Sequence, residues 1–459
     1  IIKPRKELDK GLKKILSKML RVENISIEDS LLELGGDSLT AITLSTKILS
    51  KYDVQVSIKD ILTKYKIKDI SDYISENKSK GNEKIKIKKA PIQELYPLST
   101  AQKRIYYNSK MIGEENIVYN LSGAILVEDI LDKNKVKEIF EKIIERHEIL
   151  RTSFVVKEGE LFQKVEDKFD FEIPIYNDKN EDIQEIVDNF SKPFNLEKAP
   201  LIRVELHYID NAKTLLLLET HHIVMDGTGL NNLIIEFNRL YNGENLKKIP
   251  IQYKDYAVWE NEFNKSKNLE KYEQYWLNKF KDSELLQLNL PYDYNIPANR
   301  SYKGDKVSYE IDEQYFRKIE KYAKKLGVSP YMFFIAIFLI LLYKYTGQDD
   351  ITLGSPIANR NINETKRMIG MFGNNIVVRG KINSESTFID FLNEIKEQIL
   401  DDLSNQPYPF DMLVKKLGKS GDLSRNSLFD ILFTYQNKEE NMIKIGEKYC
   451  KKIELKNNT

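Results

Sequence analysis

Cysteine is all but missing: Cys450 is the only one in 459 residues. One thiol excludes a disulfide framework and any cysteine-based metal cluster within the chain, and a reducing cytoplasm is the compartment expected for it. Histidine is scarce as well, with four residues. No excess charge of either sign is present, since 71 Lys+Arg stand against 70 Asp+Glu for a formal net charge of +1. That balance argues against a chain whose main business is wrapping nucleic acid or gripping an anionic membrane. Long apolar runs are lacking too. The longest, Tyr331 to Tyr343, has 13 residues, whereas a bilayer crossing needs about 18 or more, so it reads as a buried helix. The opening Ile1-Ile2-Lys3-Pro4-Arg5-Lys6 has no signal-peptide core, and without a leading Met the chain reads as a piece of something longer. What is there is ordinary for globular protein, with 41% hydrophobic and 31% charged residues in a length that suggests two or three folded units.

Residues 1–75 read as a small helical unit. Leu8, Leu12, Ile15, Leu16 and Met19 recur at helical spacing. Gly35-Gly36-Asp37 then forms a turn into a second apolar pattern at Leu39, Ile42, Ile48 and Leu49, and a third helical segment spans 58–74. From Lys78 to Lys89, six of twelve residues are lysine, which marks 76–90 as a solvated linker. Beyond Pro91 helices and strands alternate. Helical patterns fall at 136–144, 230–240 and 331–345, the last started by Ser329-Pro330 and stopped by Gly347. Strand-like runs fall at 150–156, 214–219, 351–353, 376–378 and 429–433. This is an α+β or α/β layered unit, long enough for two lobes.

Two stretches carry chemistry. Ser38 follows Gly-Gly-Asp at a helix start; taken alone it would be an N-cap. His221-His222-Ile223-Val224-Met225-Asp226-Gly227 follows an apolar strand. Neighbouring side chains on a strand point to opposite faces, so His221 and His222 cannot share one metal, and His147 and His207 supply no ligand spacing; no metal is expected. A pair of half-buried structural imidazoles is the plain alternative. Against it stand Asp226, an acid able to orient a neighbour, and Gly227 and Gly229, which let backbone or substrate come close.

Leu34-Gly35-Gly36-Asp37-Ser38-Leu39 resembles the attachment site of acyl and peptidyl carrier proteins, which implies 4′-phosphopantetheine on Ser38. The His221–Gly227 stretch resembles the His-His-x-x-x-Asp-Gly signature of condensation domains in nonribosomal peptide synthetases. Further family-like segments run in order: Ser99–Arg104, Arg146–Phe154, Tyr253–Trp259, Gly347–Asp350, Gly354–Ala358, Ile369–Phe372 and Ser424–Phe429. Three places depart from the family pattern, at Gly229, at Gly373-Asn374-Asn375 and at Pro407, and these bear on acceptor selectivity more than on the reaction.

The resemblance implies an all-α carrier bundle of about four helices over 1–75, a linker over 76–90, and an α/β two-lobed, chloramphenicol acetyltransferase-like condensation domain over 91–459 whose C-terminal lobe is incomplete. It implies aminolysis of a carrier-bound thioester, which needs a neutral amine, close alignment and a donor near the oxyanion. His222 is then the residue that accepts or holds the amine proton. Asp226 is structural and pairs with Arg146, the Gly227 backbone N–H is a candidate oxyanion donor, and His221 packs behind the motif. A carrier in front of a condensation domain implies the donor side, with an L-configured donor. The implied partners are a phosphopantetheinyl transferase with coenzyme A, an upstream adenylation domain and a downstream acceptor carrier. Two other classes compete: a non-catalytic docking domain that recruits a tailoring enzyme, and an acyltransferase using free coenzyme A thioesters.

Overall fold

The structure, a computed structural model, describes the chain except residues 1, 37, 53, 55, 78–85, 179–181, 284–286, 298–303, 419–424, 437–443, 447 and 456–459, and the side chains at 38, 39, 42, 46, 49, 50 and 449. Four helices make the N-terminal bundle: Glu7–Leu20, Ser38–Tyr52, Ile58–Thr63 and Ile67–Asn77. Leu12 and Leu16 of the first are buried to within 1% against Leu44 and Ile48 of the second. The segment expected as one helix over 58–74 is broken. The amides of Lys64 and Tyr65 both turn back to the Asp60 carbonyl, while those of Ile67 and Lys68 bond the carbonyls of Asp29 and Ile27. Pairing with that earlier loop diverts the backbone, which helical periodicity alone does not reveal. Both glycines before Ser38 are required by shape. Gly35 has φ +87, in the region that disfavours side chains, and a Cβ on Gly36 would lie 2.5 Å from Leu31 Cγ.

The first lobe after the bundle is built on a six-stranded sheet. Its spatial order is Lys444–Ile445, Lys448–Ile453, Asn120–Val127, Thr214–His221, Ile202–Tyr208 and Ile175–Tyr176, antiparallel except for the last pair. Every residue of Thr214–His221 is buried, because this strand has neighbours on both edges and covered faces. Helices Lys133–Arg146 and Gly227–Tyr241 pack together, with the rings of Phe140 and Phe237 5.1 Å apart. Tyr96–Pro97, Glu160–Val165 and Thr152–Lys157 make a small separate sheet.

The second lobe pairs Asp350–Ile357 with Asn374–Lys381, backed by helices Pro330–Thr346 and Phe388–Ser404. Ser329 caps the first of these helices through the Met332 N–H, Pro330 sits in its first turn, and Gly347 ends it at φ 71. That helix is less buried than its composition suggests, for Ile337 and Leu341 are 41% and 46% exposed. The strand expected at 429–433 is reduced to a bridge between Gly354 and Leu432. After this lobe the chain returns to the first, where Lys448–Ile453 pairs with Asn120–Val127.

The N-terminal bundle packs on the second lobe. Leu32 and Leu62 meet Met332 and Leu400, Lys59 Nζ bridges Glu397 at 2.6 Å and Asp401 at 3.1 Å, and Lys324 Nζ donates to the Glu33 carbonyl. The stretch expected as a solvated linker is docked at its far end. Ile87 is 1% exposed, and the Ala90 N–H donates to Asp255 at 2.9 Å, because the Ile87 side chain finds a place in the first lobe's core. Among the described residues no single helix is long and apolar enough to cross a membrane.

Candidate active site

The buried strand Thr214–His221 delivers both histidines to a turn closed by the Val224 N–H donating to His221 O and the Met225 N–H donating to His222 O. His221 ends the strand and His222 begins the turn, so their environments differ. His221 is 3% exposed and lies between the rings of Tyr119 and Phe194, its Nδ1 accepting from the Ile223 N–H. Burial, helped by the neighbouring His222, pushes its pKa down to about 3, so the ring is neutral and packed. His222 is half-buried, and its Nδ1 has no hydrogen-bond partner among the described residues. Burial lowers its pKa too, with Arg104 pulling the same way, while backbone groups of His222 and Met225 and the charge of Asp226 oppose. A neutral imidazole can accept a proton or a hydrogen bond.

Asp226 caps the Gly227–Tyr241 helix, its Oδ1 accepting from the Gly229 N–H at 2.7 Å. The same carboxylate takes Arg360 Nη2 at 2.7 Å and the Phe372 N–H at 3.2 Å, and its own amide donates to Gly370 O. Arg360 is 7% exposed, bonds the carbonyls of Thr365 and Met368, and lies 4.2 Å from the Phe372 ring centre. The expected pairing of Asp226 with Arg146 is therefore wrong. Arg146 instead bonds Glu236 at 3.0 Å, beside His147 on the same carboxylate oxygen at 2.7 Å. Ten residues of helix separate positions 226 and 236, about 15 Å at 1.5 Å per residue. Arg146 thus fastens the far part of the helix that Asp226 begins.

Gly227 is exposed and is the first residue of its helix. Its N–H meets no acceptor among the described residues and lies at the positive end of the helix dipole. Ser38 opens the Ser38–Tyr52 helix, but its side chain, like Asp37, lies outside the described residues. From Thr43 on that helix a cavity of about 510 Å³ runs into the second lobe past Tyr331, Ser355 and Lys366, reaching Thr228 and Arg360. His222 is not among its walls.

Several ordered motifs come together as scaffold. Ser99 forms a capping box with Gln102, and its hydroxyl lies 2.7 Å from that of Tyr253, which in turn donates to Met371 O. Arg104 reaches the Gly373 carbonyl at 2.9 Å. Two of the departures are joined: Asn374 donates to Gln406 O and Tyr408 O on either side of Pro407 and accepts from the Phe410 N–H. At Gly229 a Cβ would lie 3.0 Å from Met225 and 3.3 Å from the Asp226 carboxylate, so the position is tight. Sequence reasoning missed Arg360 and Lys366. Arg360 stands two residues beyond the Gly354–Ala358 motif, and a buried partner for Asp226 could have been sought there; Lys366 gave no signal.

Residues 92–458 match the family model described as a condensation domain, and residues 10–74 match the one described as a phosphopantetheine attachment site. The chain is 38% identical over 433 residues to bacitracin synthase 2 of Bacillus licheniformis, covering 94% of this chain and 16% of that one. It is 35% identical over 453 residues to gramicidin S synthase 2 of Aneurinibacillus migulanus, covering 99% and 10%. It thus spans only about a tenth to a sixth of these relatives' length. Among solved structures, the X-domain from teicoplanin biosynthesis superposes with a TM-score of 0.72 at 20% identity, covering 81% of this chain and 84% of that one. The condensation domain from a monacolin K polyketide synthase gives 0.66 at 18% identity, covering 80% and 86%. At such identities the likeness establishes the two-lobed α/β fold and nothing finer.

Proposed function

The chain belongs to the condensation-domain family and carries a phosphopantetheine attachment region ahead of it, and from this we propose that it joins a donor carrier, 1–75, to a peptide-bond-forming catalyst, 91–459, with 76–90 between them. The work is nonribosomal peptide synthesis: the acyl group of an aminoacyl or peptidyl thioester passes to the amine of an aminoacyl group on a downstream carrier. The observation that carries the donor assignment is the cavity between Thr43, on the helix that Ser38 begins, and Thr228 and Arg360 at the Asp226 cap. Thr43 stands five residues along the helix from Ser38, about 7–8 Å, which brings the cavity within reach of an arm attached there.

When bound, 4′-phosphopantetheine supplies the thioester and a thiol leaving group. His222, kept neutral by burial, takes the hydrogen bond of the attacking amine. As the C–N bond forms and the C–S bond breaks, the proton lost from nitrogen ends on the departing sulfur, and His222 holds or relays it. The Gly227 N–H faces the charge that develops on the carbonyl oxygen. Asp226 and Arg360 fix the turn on which both groups sit. A phosphopantetheinyl transferase with coenzyme A, an upstream adenylation domain and a downstream acceptor carrier complete the scheme, in a reducing cytoplasm.

Intact-protein mass spectrometry tests the proposal. Ser38 is loaded enzymatically with an aminoacyl-pantetheine arm, and a soluble aminoacyl-pantetheine acceptor is added. Loss of acyl mass with a matching dipeptidyl product, absent in His222→Ala, is expected. Loading with equal product from His222→Ala overturns the catalytic assignment, and failure to load at Ser38 overturns the carrier assignment.

A further inference from the structure

Lys366 is in an unusual position for a lysine. Its Nζ is buried, has no hydrogen-bond partner among the described residues, and belongs to a wall of the cavity that begins at Thr43. A buried ammonium without a counter-charge is costly. Among the described residues no carboxylate offsets it. The charge near it is Lys47 of the N-terminal bundle, another cation, and burial together with Lys47 pushes the Lys366 pKa down to about 8. Lys47 is itself lowered by burial, then by Lys18. Thr43 and Lys47 are four residues apart and so share one face of the Ser38–Tyr52 helix. Ser38 lies five residues before Thr43, about 7–8 Å along the axis at 1.5 Å per residue. Two half-buried cations from two units thus stand close enough for Lys47 to act on Lys366, one of them in the cavity wall that Thr43 shares. An arrangement of that kind is incomplete without an anion.

We propose that Lys366 and Lys47 together form a phosphate-binding site, split across the contact between the N-terminal bundle and the second lobe, that holds the phosphodiester of the arm attached at Ser38. The inference rests on the donor-carrier reading above. Attachment of the arm then does more than supply a thiol. It brings the missing negative charge to the contact and favours the docked bundle over the free one. Lys366 acts as a positioning residue: it holds the arm at its anchored end and leaves the thioester end to the turn at His222.

The test compares apo and holo forms of the full chain, the arm being transferred enzymatically from coenzyme A. Wild type, Lys366→Met, Lys366→Arg and Lys47→Met are each followed by thermal unfolding and by ³¹P NMR of the phosphodiester. Holo wild type is expected to melt several degrees above apo wild type. That gap should close in Lys366→Met, narrow in Lys47→Met and return in Lys366→Arg. The phosphodiester resonance should be shifted or broadened in wild type and Lys366→Arg relative to Lys366→Met. Apo Lys366→Met should melt no lower than apo wild type, since it loses an uncompensated charge; a lysine needed only for folding would give the reverse. Equal apo–holo gaps and superimposable ³¹P spectra in wild type and Lys366→Met overturn the proposal. Both readouts are independent of amide formation, so a holo wild type that makes no dipeptide counts against the catalytic reading and not against this site.

Discussion

Asp226 and Arg360 stand 134 positions apart and meet at 2.7 Å, with Asp226 6% and Arg360 7% exposed. Asp226 starts a first-lobe helix, and Arg360 follows the second lobe's strand Asp350–Ile357. The pair therefore ties the two lobes together at the turn that presents His222. The Phe372 N–H and the Gly370 carbonyl complete the knot.

Removing one partner of a buried ion pair leaves the other uncompensated, so Arg360→Met should cost about 3–5 kcal/mol in urea unfolding. Arg146→Met should cost clearly less. Its side chain and that of Glu236 are 19% and 13% exposed, and His147 still engages the carboxylate. Equal losses in the two variants would contradict the assignment of Arg360 as the partner of Asp226.

His222→Ala should keep its melting temperature within a few degrees and lose amide formation. In wild type the lowered pKa keeps the ring neutral below the ordinary histidine value of about 6.5. The acceptor's own amine, with a pKa of about 7.7–8.0, loses its neutral form over the same range. The rate corrected for the neutral-amine fraction should therefore stay level from pH 8 through 6.5 and decline only in more acidic solution. A corrected rate that halves at pH 6.5, with loading unchanged, would show an unperturbed histidine instead.

Proline is tolerated in the first turn of a helix but has no N–H, and the extended backbone of Asp226, φ −104 and ψ 177, suits the residue before a proline. Gly227→Pro thus deletes one donor and spares the helix. A Cβ at 227 meets nothing within 4 Å, so Gly227→Ala is the matched control. Loss of an oxyanion donor typically costs about 10²–10³ in rate, and that loss is expected for proline alone. Matching rates for the two would discard the Gly227 N–H as donor.

Two buried histidines give opposite pH dependences. His221 has a depressed folded pKa of about 3. Its unfolded form takes up a proton first, so its contribution to stability is full above about pH 6.5 and shrinks toward pH 3. Burial pulls His207 down as well, but Glu205 and Asp178 outweigh it and raise the net value. Its contribution is full below about 6.5 and fades as pH rises through the raised folded value. Urea unfolding from pH 4 to 8 should show stability climbing more steeply with pH in His207→Gln, and less steeply in His221→Asn. The same slopes in all three proteins would refute both assignments.

Local signals were legible wherever a side chain acts on its own backbone. Ser329, Pro330 and Gly347 mark their helix correctly, and Gly35-Gly36 marks a turn that needs both glycines. Contacts between distant segments were not legible. The resemblance pointed Asp226 to Arg146, and no sequence spacing reveals that Arg146 bonds Glu236, about 15 Å along the helix from Asp226. Lys366 was invisible because a lysine in a polar loop reads as solvated; its burial comes from a bundle more than 300 residues earlier in the chain. The docked end of the linker has the same cause, with Ile87 finding a core that composition cannot locate.

The strand Lys448–Ile453 also turns the chain's single thiol into a built-in gauge. It returns from the second lobe to pair with Asn120–Val127, and Cys450 stands in that register opposite Val127. Burial raises its thiol pKa, which slows thiol reagents because the thiolate is the reactive form. Peeling this strand from Asn120–Val127 would uncover Cys450, which would then react at the rate of an exposed cysteine. A chromogenic disulfide could time that excursion in the unmodified protein, with no label and no engineered residue. Equal reactivity of the folded and urea-unfolded chain would mean that the strand does not stay paired with Asn120–Val127.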